Sequence, residues 1–379
     1  MADRLRIASW HALAAGPVNP ATLEGVDVVL VDFGGELTTR WDANAEIKES
    51  LEQTLDALGP HLYLHPELTV IANVGGCDTW QMARAVAAKL EDSGNASLPV
   101  GVVRGHDVGD QLEELLQQGA TLPNLNTGEA FKTLRQPTVA ALARLGAKPI
   151  ALAIAGGARL VVAGGADMES MIAGAAAELL GASRDVSSSW TIATAANLLD
   201  RTASVLDIDV EGAVGIVVGD SEAQIETSNP RDAATGVESE DGEPTTAIDI
   251  IYRESFVAAA VLRIDRQPNE ASPEDWGTRF SESLPDELLD KTKLTVERYH
   301  GDDACGLLLV RAEAATEQIA DEVKKWMQMR FAPRDASAMR IHRDFPPRSY
   351  AKYGCWPTEA PSRLIEWTVE VHQADWWLG

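Results

Sequence analysis

The sequence predicts an α/β protein: a mostly parallel, doubly wound (Rossmann-like) sheet, followed by a second, smaller α+β domain. Three observations carry this. Five short runs rich in Val, Ile and Leu recur through the first half, at Leu5–Ala8, Val26–Val31, Thr69–Ala72, Val100–Val103 and Arg159–Ala163. Stretches with helical periodicity separate them, and strand alternating with helix means parallel βαβ units whose helices cover both faces of one sheet. Near residue 205 that alternation stops, and strands then come in pairs.

Each element has its own reason. The apolar runs are too short for membrane spans and lack polar alternation, which suits strands buried on both faces. From Asp78 onward Met82, Val86 and Leu90 share a helical face, with Asp78 placed to cap. Asp110 stands ready to cap the next helix, in which Leu112, Leu115 and Leu116 share a face. Pro137 and Pro149 occupy first-turn positions, and Gly156 and Gly181 read as helix stops. The first domain is placed at 1–205 and the second at 206–379. Residues 219–246, with eight acidic residues and one basic, read as a loop. Beyond it Ala247–Tyr252, Phe256–Ile264, Leu294–Tyr299 and Gly306–Arg311 read as strands, with helices near 274–290 and 314–330. No internal repeat is visible.

Composition narrows the function. With 379 residues, 45% of them hydrophobic, the chain has enough apolar side chains for two or three cores. Its 32 Lys+Arg against 58 Asp+Glu give a formal charge of −26. Such a surface repels nucleic acid and anionic bilayers. Cys77, Cys305 and Cys355 lie far apart and form no C-x-x-C, which argues against a disulfide framework or structural zinc. The opening MADRLRIASWHALAAG has no apolar stretch of signal-peptide length, and no 18-residue apolar run occurs. The expectation is a cytoplasmic homo-oligomer acting on a small molecule.

Several chemistries are missing their signatures. There is no G-x-G-x-x-G, no G-x-x-x-x-G-K-[ST], no H-E-x-x-H and no G-x-S-x-G. No nicotinamide or flavin cofactor is therefore indicated. The acidic strings at 207–210 and 247–250 suit strand edges better than a magnesium–diphosphate cluster.

In a parallel sheet the carboxyl ends of all strands meet at one rim, where ligands bind. The residues after each strand therefore converge whatever their separation in sequence. These are Asp32, Gly34, Gly35 and Glu36; Asn73, Gly75, Gly76 and Cys77; Arg104, Gly105, His106 and Asp107; and Gly164, Gly165 and Asp167. Neighbouring carboxylates separate in pKa, so that one can donate a proton while another accepts. Histidine adds a proton carrier near neutral pH, and Gly-rich turns before helices offer N–H groups to an anion. The structural alternatives are helix caps at Asp78, Asp110 and Asp167, tight turns at the glycine pairs, and a hydrogen-bonding role for His106. His61 and His65, spaced as ligands on a helix would be, read as loop because Pro66 follows. The Trp-rich tail (Trp356, Trp367, Trp376, Trp377) reads as core or interface packing.

At these same residues the chain resembles the acyclic terpene utilisation (AtuA-like) family. VDVVLVDFGGELTT, TVIANVGGCDTWQMARAV, VGVVRGHDVGDQLEELLQQG, NLNTGEAF and ALARLGAKPIALAIAGGARLVVAGGAD are similar to successive segments of it, over residues 5 to about 180. A weaker similarity reaches SYAKYGCWPT at 349–358. The departures are equally specific. ASWHALAAG stands for a glycine-rich turn, Gly165 for an arginine, and Asn197 for a histidine; an additional carboxy-terminal domain of the family has no counterpart. The resemblance implies degradation of acyclic terpenes and branched acids through acyl-CoA thioesters. A CoA group would need local cations, which Arg340, His342, Arg343 and Arg348 concentrate, with Arg343 the candidate contact.

The leading expectation is a lyase or hydratase acting on a branched acyl or terpenoid substrate, with a CoA thioester as one form. Asp32 or Glu36 would be the base, His106 or Asp107 the acid, and Asn73 with the N–H groups after Gly75 would stabilise an enolate oxygen. Gly34, Gly35, Gly75, Gly76, Gly164, Gly165, Asp167 and Arg343 would bind substrate. A second expectation places a divalent cation on Asp32, Glu36, Asp107 and Asp167. A third is a non-catalytic binding or assembly subunit, which the replaced arginine and histidine favour.

Overall fold

A computed structural model describes residues 4–10, 23–33, 44–180, 205–209, 214–218, 221–225, 244–265, 278, 280–300, 305–332 and 339–379. Two compact units divide the chain. The first takes Met1–Arg135, Val139–Ile250 and Trp356–Gly379, and the second Gln136–Thr138 and Ile251–Cys355.

Chain order in the first unit runs β1 (Arg4–Ser9), β2 (Val28–Asp32), α1 (Asn44–Leu64), β3 (Thr69–Asn73), α2 (Thr79–Asp92), β4 (Pro99–Arg104) and α3 (Leu112–Gln117). It continues through β5 (Thr138–Ala143), α4 (Ala147–Ala155), β6 (Leu160–Ala163), α5 (Met168–Leu179), β7 (Val205–Asp209), β8 (Val214–Val218) and β9 (Ser221–Ile225). The chain's last strand, β15 (Thr368–Gln373), completes a nine-stranded sheet in the order β15-β4-β6-β3-β2-β1-β7-β8-β9. The strands β4, β6, β3, β2 and β1 are mutually parallel. Antiparallel strands flank them, β15 on β4 and β7 to β9 beyond β1.

Alternation explains why helices cover both faces. In β2, Val29 and Val31 join one core, while Val28 and Leu30 join the other. The first core receives Leu51, Leu55 and Leu58 of α1 and Met82, Val86 and Leu90 of α2. The second receives Ile150 and Ala153 of α4 and Met171 and Ile172 of α5. Each fully buried Val, Ile or Leu contributes about 1.5–3 kcal/mol. A strand with apolar side chains on both faces has no favourable place except a central one.

The junction of β1 and β7 is fixed by charge. Arg6 and Asp207 are directly paired in register. The Arg6 guanidinium donates from Nε to Asp207 Oδ1 at 2.8 Å and from Nη2 to Oδ2 at 2.9 Å. Arg4 adds a 3.0 Å ion pair to the same carboxylate. The fork geometry is what a guanidinium does best.

In the second unit β10 (Thr245–Asp265), which begins in the first, pairs antiparallel with β12 (Cys305–Ala314) and β13 (Met339–Ile341). β11 (Thr292–His300) pairs with β12, and β14 (Arg348–Pro361) also pairs with β10. Ala258, Ala260 and Leu262 oppose Ala312, Val310 and Leu308, so both strands turn the same face to one core. α6 (Asp286–Leu289) and α7 (Glu317–Arg330) cover that core, where Phe280, Trp326 and Phe331 pack with ring centroids 5.5 Å apart. This is a mixed α/β chain with a mostly parallel sheet and a second, antiparallel one, as the sequence predicts.

Several local expectations are corrected. Asp110 lies inside a 3-10 turn at Gly109–Gln111 and caps nothing. Pro137 precedes a strand, not a helix. Ser221–Ile225, read as loop, is β9, and the two strands expected at 247–264 are one continuous β10. His61 lies in α1, which runs on through Pro60 to Leu64, with His65 immediately after it. Arg159 explains the extension: its Nη2 donates to the carbonyls of Leu62, His65 and Leu68 at 3.1, 2.7 and 3.0 Å, capping a helix end with a cation. Gly181 and residues 226–243 of the acidic stretch lie outside the described residues. No described helix is long and apolar enough to cross a membrane.

Replacing Asp207 by Ala leaves a partly buried guanidinium without its principal carboxylate. The expected loss is about 2–3 kcal/mol, read from urea midpoints. The double variant Arg6→Ala/Asp207→Ala should lose less than the sum of the single ones.

Candidate functional site

Parallel register levels the strand ends. Asp32 of β2 stands opposite Asn73 of β3, Asn73 opposite Ala163 of β6, and Ala163 opposite Val103 of β4. The loops leaving these four strands therefore start from one line. Backbone hydrogen bonds then tie them together. Val74 N–H donates to Ala163 O at 2.9 Å, and Gly165 N–H to Gly75 O at 3.0 Å.

Asn73 is buried, at 2% exposure, and works as a brace. Its Nδ2 donates to Asp32 Oδ1 at 2.7 Å, and its Oδ1 accepts the Gly75 N–H at 2.9 Å. One side chain thus holds the end of β2 against the turn after β3.

His106 is the unusual group. It is 5% exposed, both ring nitrogens are closed off from solvent, and the backbone of Gly76 and Cys77 supplies the hydrogen bonding within reach of the ring. Its place is set by neighbours. The Ala143 N–H donates to the His106 carbonyl at 2.6 Å. The imidazole lies so closely on Gly164 that a Cβ there would overlap the ring, and one on Gly165 would meet the Ala143 carbonyl. Gly165 also holds φ at +61°, where a side chain is strained. The glycine pair after β6 is therefore the seat of the histidine. Burial pushes the imidazole below the ordinary histidine range. The charges of Asp107 and Asp78 and hydrogen bonding to the backbone of Cys77 and Gly76 pull the other way and do not overcome it. The ring is neutral at neutral pH, with one donor and one acceptor nitrogen.

His106 lines an open cleft of about 740 Å³. Gly76, Cys77, Asp78 and Thr79 form one side, between β3 and α2, and Arg104, Gly105 and Asp107 follow β4. Val139, Ala140 and Leu142 of β5 add apolar surface, and Glu366, Trp367 and Thr368 of the tail close another side. Gly105 allows this closure, because a Cβ there would overlap the Glu366 carbonyl and Trp367. The volume falls within the range of small-molecule sites.

The structure thus brings His106, Asp107 and Gly76 to one cleft, with Gly164 and Gly165 behind the imidazole. Asp32, Asn73 and Gly75 sit on the same rim as a hydrogen-bonded brace, outside the cleft lining. The Asp107 side chain is exposed and its Oδ1 accepts the Gly109 N–H at 3.0 Å. Asp167 caps α5 through the Ser170 N–H at 2.7 Å, and Asp78 caps α2 through Trp80 and Gln81. Arg343 is exposed in the second unit, in the turn after β13. Gly34, Gly35, Glu36 and Asn197 lie outside the described residues. Among the described residues no three His, Cys, Asp or Glu side chains come together as a metal site would require.

Sequence reasoning missed Asn44, Gln111, the β5 wall and the tail wall. For the tail, the signal in the chain is the alternation of TVEVHQ, which marks a strand but not its partner.

The sequence model of the family described as acyclic terpene utilisation family protein AtuA matches residues 8–199. No curated protein and no solved structure matches the chain.

Protonation of His106 is opposed by the fold, so the unfolded chain binds its proton more readily. As pH falls below about 6.5 the wild type should lose stability on this account, down to the lower pKa of the folded state. His106→Gln should show a shallower decline of urea midpoint between pH 7.5 and pH 5. Identical slopes would remove the neutral buried imidazole.

Proposed function

The chain belongs to the acyclic terpene utilisation family, and on that premise we propose that it is an enzyme of branched acyl or terpenoid metabolism using lyase- or hydratase-type acid–base chemistry. The supporting observation is His106, buried on Gly164 at the edge of a cleft of ligand size. A buried imidazole with a perturbed pKa beside such a cleft is a candidate proton carrier.

In this reading His106 carries the proton. In hydration its neutral ring takes a proton from the adding water as the C–O bond forms, and the neighbouring carbon gains a proton as the double bond is lost; in elimination the proton leaves carbon and goes to the departing oxygen. Asp107 provides negative charge beside it, which favours the protonated ring once it forms. Asp32, held in the brace with Asn73 outside the cleft lining, is not placed as the complementary base, and Glu36 lies outside the described residues. Asn73 acts by position, since one amide hydrogen is already engaged by Asp32. The apolar Val139, Ala140 and Leu142 side of the cleft suits a branched hydrocarbon chain. A CoA thioester is one substrate form compatible with this, entering acyl end first.

The test is turnover of branched acyl-CoA thioesters and acyclic terpenoid alcohols and acids by purified protein. His106→Gln should lower kcat/KM by about 10²–10⁴-fold, and Asp107→Asn by less, with far-ultraviolet circular dichroism unchanged. Undiminished turnover in His106→Gln sinks the reading.

A further inference from the structure

The nine-stranded sheet ends on β15, and half of that strand's backbone finds no partner among the described residues. Pro99 fixes which half. It stands opposite Gln373 in the antiparallel pairing of β15 with β4. It has no N–H to give, and its carbonyl accepts the Arg159 N–H at 2.9 Å on the β6 side. The phase agrees one residue on, where the Ala374 N–H donates to Leu98 O at 3.0 Å. Bonding in an antiparallel ladder alternates along the strand. Thr368, Glu370 and His372 therefore bond to β4, while Val369, Val371 and Gln373 turn their N–H and C=O groups outward. Such an edge is a template for another strand, and folds commonly block it with proline or a bulge. TVEVHQ contains neither.

We infer that β15 pairs antiparallel with β15 of a second copy, about a two-fold axis through Val371. Outward groups must meet outward groups, which sets Val371 opposite itself and Val369 opposite Gln373. That register also sets Glu370 opposite His372 of the second copy, twice by symmetry. Moving the axis to Glu370 or His372 would instead bring identical side chains face to face. Residues opposed at such a position have Cα atoms about 4.5 Å apart, close enough for an imidazole N–H to donate to a carboxylate. Both groups have the capacity. Within one chain Glu370 lies 3.9 Å from His372 and 3.8 Å from Arg104, longer than hydrogen bonds. Apolar surface flanks the edge on both faces of the sheet. Trp376, 48% exposed, stacks on His372 with ring centres 3.7 Å apart. On the opposite face Val371 packs beside Gly156, one helical turn after Leu152, which is 37% exposed.

Sedimentation equilibrium of the full chain over a concentration series tests it. Two chains of formal charge −26 repel at long range, so the buffer carries about 0.15 M salt to screen them. A monomer–dimer equilibrium is expected. Gln373→Pro removes one outward donor from each copy, and φ of −63° at Gln373 already suits proline. It should raise the dimer dissociation constant about tenfold or more, with circular dichroism and thermal midpoint of the monomer unchanged. His372→Glu sets carboxylate against carboxylate and should weaken the dimer by about as much. The exchanged double variant Glu370→His/His372→Glu should return to within about threefold of the wild type. A monomer at millimolar concentration, a species that grows beyond a dimer, or a dimer indifferent to either single substitution overturns the inference.

Discussion

Parallel register is the constraint on which the first unit depends. Once Asp32, Asn73, Ala163 and Val103 are aligned across four strands, every loop leaving the sheet starts from the same edge. The two-sided burial of Val28 to Val31 enforces that alignment. A one-residue slip would exchange the side chains of the two cores and place each against helices shaped for the other. Asn73 then turns alignment into rigidity, because its amide joins the end of β2 to the turn after β3.

On that edge the fold accepts a cost. A buried imidazole is held against glycine, where any side chain would displace it. The two features explain each other: Gly164 leaves room for the ring, and the ring closes the space glycine leaves. The same economy of space appears at Gly105, which lets the tail approach closely enough to form a wall of the cleft. The first unit carries the match to the acyclic terpene utilisation family.

Much of this was legible in the amino-acid order, and the reason is physical. The five central strands fall within two residues of the apolar runs, because strands buried on both faces leave an uninterrupted signal. Asp78 and Asp167 cap the helices they precede, since capping is decided within four residues. Edge strands are harder. β15 has only one side of each residue to bury and reads as a short alternation, while β5 follows a proline that equally suits a helix start. Pro60 hides the length of α1, because the cation that makes the longer helix tolerable is Arg159, far away in sequence. His106 was legible as a strand-end group. Its seat on Gly164 and the contribution of Glu366 were not, because both are long-range packing facts with no local pattern. The Trp-rich tail shows both sides of the limit: Trp377 is buried in the first core, whereas Trp376 remains half exposed and stacks on His372.

The account comes down to one nitrogen-bearing ring. Nuclear magnetic resonance of uniformly ¹⁵N-labelled protein, with His106 assigned through His106→Gln, reads its protonation directly. Two unequal ring-nitrogen shifts typical of a neutral tautomer at pH 7, persisting below about pH 6.5, are the predicted result. An imidazolium at neutral pH would contradict it.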